Sequence, residues 1–361
     1  MRARAVPMVA MVAGLLAGCA GSSKPASTSP EPQASGDDAA THYARVLIEL
    51  QDDILASYER DDPPELDTSM IVSKIGAARI GAGPGDVYIA GDLARAPSRW
   101  PLDIDRLTRT DVRSKKLEIQ IAADFTAAWM ADELSWRIEA CGRTAVIPLR
   151  ITALYAHDGD RWVPVFEHLS FGWTPAPRDG PPPKAIKTEV VSGDLRDELS
   201  GVLGRGLFRT PHDPQVVSQD PSALVLGPDA GDEWHGPAVL GARLPAGKLE
   251  DRRVGTVGRT PGEATVAYWI GNYIADIPAQ PSAPAGKVRM RVTHVFEKRR
   301  LGKPDGKAKA CGDDCRWILV QTHMSQPITD DELTQQVFGT ALLSPKPLQL
   351  DCSDDTRALG P

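Results

Sequence analysis

Two histidines, two arginines and a few carboxylates carry most of the chemistry that this sequence could perform. His168 lies between Arg161-Trp162 and Ser170, and His323 lies between Arg316-Trp317 and Ser325. An imidazole titrates near neutrality and can move protons inside a cavity. Alternate residues of an extended strand share a face. Trp162, Pro164, Phe166, His168 and Ser170 are therefore expected on one face, and so are Trp317, Leu319, Gln321, His323 and Ser325. The recurrence of this pattern suits a structural use better than catalysis: a histidine bonded to a neighbouring strand or to the hydroxyl two residues on. Arg150 and Arg291 recur in the same way, each followed two residues later by Thr152 or Thr293. An arginine inside a cavity could bind a carboxylate in bidentate fashion, but Thr and Arg are also common on an exposed strand, and that placement is expected here.

Among the carboxylates, Asp132 and Glu133, with Asp124 nearby, are the candidates for a general base. A base needs apolar burial to raise its pKa into a useful range. Adjacent strand residues point to opposite faces, so only one of Asp132 and Glu133 can enter a cavity. The aligned positions of the second half are Asn272 and Tyr273. Solvated strand charges are the expected reading of this pair.

No nucleotide-binding loop, zinc-spaced Cys/His set or nucleophile elbow occurs, so no cofactor and no metal is expected. Gly83-Pro84-Gly85 reads as a turn. The formal net charge of −7 and a pI near 5.6 lack the basic footprint of a nucleic-acid binder. The apolar fraction, 42%, is enough for ordinary packed cores.

The elements that must position these residues occur twice. Tyr43, Leu47, Leu50, Ile54 and Tyr58 form a helical stripe that ends at Asp61-Asp62-Pro63-Pro64, and a shorter helix is expected over 66–74. Strand-like runs follow at 117–121, 125–136, 146–156 and 162–171, the last two joined by Asp158-Gly159, a favoured hairpin turn. A proline-rich joint over 175–185 leads to a second stripe, Leu195, Leu199, Val202 and Leu203, with Asp194 as its expected cap. Strand-like runs return at 223–226, 264–274, 288–298 and 317–326. The halves align in blocks: Gly85-Asp86-Val87-Tyr88 with Gly231-Asp232-Glu233-Trp234, Trp129-Met130-Ala131-Asp132 with Trp269-Ile270-Gly271-Asn272, Arg150-Ile151-Thr152 with Arg291-Val292-Thr293, and His168-Leu169-Ser170 with His323-Met324-Ser325. Blocks in one order indicate internal duplication.

The N-terminus reads as an export signal. Arg2 and Arg4 precede an uncharged run, 6–17, too short to span a bilayer as a helix. Leu16-Ala17-Gly18-Cys19 resembles the lipobox of bacterial lipoproteins, in which the cysteine is acylated and becomes the new N-terminus. Cys19 is thus the expected lipidation site and the membrane the expected partner. Ala20 in place of Asp points to the outer membrane, facing the periplasm or the cell surface. Residues 1–18 are then the signal peptide and 19–41 a Ser/Pro/Ala/Gly-rich tether that cannot bury enough apolar surface to fold. The remaining cysteines, Cys141, Cys311, Cys315 and Cys352, allow three pairings in a compartment that permits disulfides. The expected set is a local Cys311–Cys315 bridge and a Cys141–Cys352 bridge that pins the C-terminal tail to the first domain.

Helices followed by a bent antiparallel meander, the Gly231–Gly236 segment, and a closing hairpin of form Arg-x-Thr … Arg-Trp-x₅-His-x-Ser resemble the SnoaL-like domains of the nuclear transport factor 2-like superfamily. The resemblance covers 42–174 and 186–328, leaving 175–185 as linker and 329–361 as tail. The first copy departs at Ala78-Arg79-Ile80-Gly81-Ala82-Gly83, where the second has Val225-Leu226-Gly227-Pro228. The resemblance implies an α+β fold of two tandem cone-shaped domains, each with N-terminal helices packed on a curved antiparallel sheet. Such cones bind small apolar ligands, pair with one another or with a second copy, or act as isomerases, cyclases or hydro-lyases. Fold alone does not choose. The expected role is non-catalytic binding or pairing, with Arg150, His168, Arg291 and His323 as candidate ligand contacts. An enzyme in the first cone, using Asp132 and His168, is the alternative.

Overall fold

The computed structural model describes residues 36–59, 78–89, 109–140, 143–172, 186, 189–190, 192–208, 213–229, 231–258, 263–277, 279, 285–300, 314–329 and 332–333. Cys19, residues 20–35 of the expected tether, the expected helix at 66–74, Cys141, Cys311 and Cys352 lie outside them, whereas the last residues of the expected tether, 36–41, lie within the first helix.

The fold is α+β, built on two antiparallel-rich sheets of matching topology. Helix α1 (Gly36–Glu59) precedes β1 (Ala78–Ile80), β2 (Val87–Ile89), β3 (Arg109–Ile121), β4 (Ala127–Ala140), β5 (Arg143–Asp158) and β6 (Arg161–Phe171). Their order in the sheet is β2-β1-β6-β5-β4-β3. After the short β7 (Glu189–Val190) comes α2 (Gly193–Gly206), then β8 (Leu224–Leu226), β9 (Glu233–His235), a 3-10 turn over Gly236–Gly241, β10 (Gly247–Val257), β11 (Val266–Ile277), β12 (Gly286–Arg300) and β13 (Cys315–Ser325). The second sheet runs β7-β10-β11-β12-β13-β8-β9, the first order with one strand added at an edge.

Local chemistry accounts for the boundaries. The hairpin between β5 and β6 turns on Gly159, whose φ of 74° suits the first central position of a II′ turn. Helix α2 is capped by Ser192, whose hydroxyl accepts from the Leu195 N–H at 3.0 Å. Asp194, the expected cap, instead sits in the first turn, where a carboxylate still favours the positive end of the helix dipole. Strand β10 escapes the sequence pattern because its charged stretch is broken by a register shift between Leu249 and Arg252.

Irregularities recur at equivalent places. The β3–β4 ladder shifts between Ser114 and Lys116, as β10–β11 does at Leu249/Arg252. The β5–β6 ladder shifts at Leu154/Tyr155, and β12–β13 at Val295/Phe296. Each leaves one valine, Val165 or Val320, without an opposite residue. A bulge of this kind bends the strand and swaps the faces on either side of it. The expectation that Trp162 shares a face with His168 is therefore corrected: Trp162 packs in the first inner core with α1, whereas Phe166 packs on the other side. Trp317 and Leu319 lie likewise on the inner side of the second sheet.

The strand registers also correct one block of the internal alignment. Ala131 pairs with Thr152, and Ile270 pairs with Thr293. Since Thr152 and Thr293 are equivalent, so are Ala131 and Ile270, one residue away from the match suggested by the two tryptophans. Trp129 and Trp269 accordingly sit on opposite faces, in different cores. Glu133 then corresponds to Asn272, and Asp132 to Gly271.

The three largest apolar clusters among the described residues set the packing. One lies between α1 and the inner face of the first sheet, another between α2 and the inner face of the second. The third draws Trp129, Leu154 and Phe166 from the first sheet and Tyr268, Ile270 and Val295 from the second, so it joins the two outer faces. The chain after β13 returns to the first half. The Ile328 N–H donates to Ala82 O at 2.9 Å, and Ile328 and Leu333 are buried beside Leu47 and Leu55 of α1. Thr329 and Glu332 make a reciprocal pair, each side chain accepting from the other's backbone N–H, which is the capping box that starts a helix.

Candidate functional site

The residues that the two halves share meet in one place. His168 and His323 are stacked with ring centroids 3.9 Å apart, each completely shielded from water. His168 Nδ1 lies 3.1 Å from Thr293 Oγ1, and its Nε2 lies 2.8 Å from Ser325 Oγ. His323 Nδ1 lies 3.0 Å from Thr152 Oγ1, and its Nε2 lies 2.8 Å from Ser170 Oγ. Each imidazole of one half is thus held by the Thr and Ser hydroxyls of the other. A hydroxyl can donate or accept, so a neutral imidazole satisfies both ring nitrogens in either tautomer. Burial pushes the His323 pKa down to about 3, with the Arg150 charge adding to the effect. His168 is driven well below the usual histidine range by burial, then by His323, Arg291 and His294.

The arginines are exchanged in the same reciprocal manner. Arg291 Nη1 donates to Gly81 O at 2.6 Å and to Asp86 O at 3.2 Å, and Nη2 donates to Pro84 O at 2.7 Å. Arg150 Nη1 donates to Asp229 O at 3.0 Å and to Gly227 O at 3.4 Å. The receiving loops match. In each a glycine N–H donates to an aspartate C=O, Gly81 to Asp86 and Gly227 to Asp232, both at 2.8 Å. The turn read at Gly83-Pro84-Gly85 is therefore an arginine receptor. Arg150 and Arg291 are 5% and 0% exposed, which overturns the expected exposed strand face. Burial lowers the Arg291 pKa to about 10, Asp86 and Tyr88 opposing the shift. The Thr265 hydroxyl donates to Asp124 Oδ2 at 2.7 Å and Gln321 Nε2 to Met130 O at 3.1 Å, both between halves.

Outside this network the halves differ. At one end of the contact, Lys116 Nζ lies 2.8 Å from Glu233 Oε1, 3.3 Å from Glu118 Oε1 and 2.9 Å from His235 Nε2, and His235 also pairs with Glu233. The neighbouring Glu233 carboxyl is the first cause that raises the Glu133 pKa, and burial is the second. Burial pushes Glu233 upward, but hydrogen bonds from His235, Lys116 and Glu133 overcome it and leave the pKa at about 2. In the second half, His294 lies on the inner face, its Nδ1 3.0 Å from Thr322 Oγ1, and burial lowers its pKa to about 3.

Asp132 faces the first inner core, opposite in direction to His168. Its register neighbours are Leu117 and Ile151. Gln51 Nε2 of α1 donates to Asp132 Oδ2 at 3.1 Å, and Ser114 Oγ donates to Oδ1 at 2.8 Å. Burial raises its pKa against the pull of those hydrogen bonds, and Asp52 adds to the rise. At 2% exposure it is not the solvated strand charge expected. Asp132 and His168 lie on opposite faces of one sheet and do not form a shared constellation. Gln51, Ser114, Thr152, Ser170, Thr293 and Ser325 escape sequence reasoning as site residues. Only the duplicated x-Thr and x-Ser spacing could have pointed to the last four.

Cys315 is disulfide-bonded, to a residue outside those described. Among the described residues no group of three or more His, Cys, Asp and Glu could hold a metal ion, and no helix is long and apolar enough to cross a membrane.

No protein-family model matches this chain, and no curated protein matches it. Solved structures do. A hexachlorocyclohexane dehydrochlorinase of Type2 is similar at 14% identity and TM-score 0.30, over 38% of this chain and 90% of that one. A domain assigned as a calcium/calmodulin-dependent kinase II association domain, from Exiguobacterium sibiricum, is similar at 13% identity and TM-score 0.27, over 36% and 92%. An Ntf2-like protein involved in plasmid conjugation gives 9% identity and TM-score 0.19, over 61% and 79%.

Proposed function

We propose that this chain is an exported, lipid-anchored protein of the cell envelope in which two SnoaL-like cones of the nuclear transport factor 2-like superfamily pair within one chain, and that its role is binding rather than catalysis. The observation that carries the reading is the exchange of matched side chains. His168, His323, Arg150 and Arg291 all spend their hydrogen bonds on the other half. The two imidazoles are neutral and both ring nitrogens of each are engaged, which argues against a role in proton transfer. The network gives the sheet faces a fixed mutual register instead. The repeated topology and repeated bulges support descent of both halves from one unit. The lipobox supports anchoring through Cys19, with the tether holding the pair off the membrane.

Sedimentation and membrane fractionation test the two parts of this reading. The protein lacking its signal should sediment as a monomer, because its pairing face is already occupied. A stable homodimer dissociated by His323→Glu would refute internal pairing. Cys19→Ser should move the exported protein from the membrane to the soluble fraction, and retention in the membrane would refute lipid anchoring. The enzymatic reading keeps one supporting observation, the buried, upward-shifted carboxyl of Asp132 on the inner face of the first cone.

A further inference from the structure

The inner face of β4 alternates Met130, Asp132, Leu134 and Trp136, and every one of these except Asp132 is apolar. Carboxylates are almost never fully buried without a partner of opposite charge. Among the described residues, Asp132 has neutral donors only: Gln51 Nε2, Ser114 Oγ and the Lys116 backbone N–H. The charged neighbour that moves its pKa is a second acid, Asp52, which raises it. The second half has Gly271 at the matching register, so the fold does not need a carboxyl here.

A second observation points the same way. Gln51 is completely buried, and its Oε1 has no hydrogen-bond partner among the described residues. A buried acceptor without a donor is costly, and this one belongs to the same amide that holds Asp132. The seam between α1 and β3 therefore presents unused acceptor capacity on Gln51 and on a carboxylate that lacks a counter-ion. Both acceptors are buried, and each lies next to an exposed residue: Ser114, which bonds Asp132, and Asp52, which follows Gln51. The walls are Leu117, Leu134 and Trp136. An ammonium group fits these demands: it has donors only, several on one atom, and a positive charge.

We propose that the α1–β3 seam of the first half binds a primary ammonium group carried on an apolar chain, with Asp132 as counter-ion and Gln51 Oε1 as second acceptor. This deepens the binding role proposed above and rests on it. Occupancy converts Asp132 to its charged form and releases a proton wherever the unliganded carboxyl is protonated.

Calorimetric titration of the full chain with butylammonium, butanol and butyrate tests it. Butylammonium should bind saturably and butyrate should not. Asp132→Asn keeps the shape and should weaken butylammonium at least about tenfold. Gln51→Leu, which removes the orphaned acceptor, should weaken it by a smaller factor and provides a second variant if Asp132→Asn does not fold. Absence of saturable butylammonium binding overturns the proposal, as does equal affinity in the folded Asp132→Asn protein. Butanol binding as tightly as butylammonium in both proteins overturns it too, while leaving an apolar-ligand role standing. None of these outcomes touches the sedimentation test of internal pairing.

Discussion

Mild acid should unfold this protein, and the three buried histidines set the size of the effect. His168, His294 and His323 are completely buried, and burial is the first cause of the depressed pKa of each. A base whose folded pKa lies below its unfolded value, here 6.5, favours the folded state fully above 6.5 and loses that contribution as pH falls towards the folded pKa. With folded values near 3 for His294 and His323, each group costs about 1.4 kcal/mol per pH unit below 6.5. Lowering the pH from about 7.5 to about 5 therefore removes about 2 kcal/mol for each of these two and about 4 kcal/mol together, and His168 adds a loss of the same sign. That approaches the whole stability of a marginal domain, about 5 kcal/mol. Asp132 works in the opposite direction: its raised pKa makes acid favourable to the fold, which reduces the net loss. Glu233, depressed to about 2, loses stability only below its usual 4.5 and stays outside the window. Urea titrations across this range should show falling midpoints at unchanged slope. His168→Gln with His323→Gln should remove most of the pH dependence. A loss smaller than about 2 kcal/mol, the share of a single histidine, would refute the reasoning.

The reciprocal contacts make further predictions. Arg291→Lys cannot reproduce the fork to Gly81 O, Asp86 O and Pro84 O and should cost about 2 to 4 kcal/mol in chemical denaturation. Gly81→Ala would place a Cβ 2.7 Å from Asp86 Cβ and should cost about 1 to 3 kcal/mol. Gly85→Ala in the same loop meets open space and should stay within about 0.5 kcal/mol; equal effects would show that the loop is not packed as described. A double-mutant cycle between His168→Gln and Ser325→Ala should return a coupling of about 0.5 to 3 kcal/mol, and additivity would deny the bond. Leu333→Ala should destabilise by about 2 to 5 kcal/mol, with faster hydrogen exchange in α1, because Leu333 is completely buried in the core under that helix.

Much of this architecture was legible in the sequence because periodicity reports burial. The α1 stripe of Tyr43, Leu47, Leu50 and Ile54 does face the first core, and the Asp158-Gly159 turn does join β5 and β6. What stayed hidden has a common physical cause. A period-two pattern assumes an unbroken strand, and Val165 and Val320 break it, so the face assigned to His168 from Trp162 was inverted. A matched pair of tryptophans, Trp129 and Trp269, looked equivalent although a one-residue offset puts them in different cores. The burial of Arg150 and Arg291 was illegible because their partners are backbone carbonyls, which have no sequence signature. Asp132 looked solvated because Gln51, the side chain that holds it, lies on a helix far away in the chain.

The centre of the interface is polar where an apolar one would bind as well. Trp129, Phe166, Tyr268 and Ile270 already supply an apolar cluster there, and apolar association is non-directional. Two sheet faces held by such contacts alone could slide past each other at little cost, since apolar contacts can be remade in many relative positions. Neutral histidines remove that freedom. Each ring nitrogen of His168 and His323 finds a hydroxyl only when both sheets sit in one register, and a missed partner leaves a buried polar atom at a cost of about 1 to 3 kcal/mol. Arg150 and Arg291 extend the same constraint to the loops at either side. The network's contribution is therefore a penalty on every shifted register; because its residues match between the halves, discrimination against one half meeting its equivalent in a second molecule falls to contacts that do not match, such as Lys116 with Glu233 and His235.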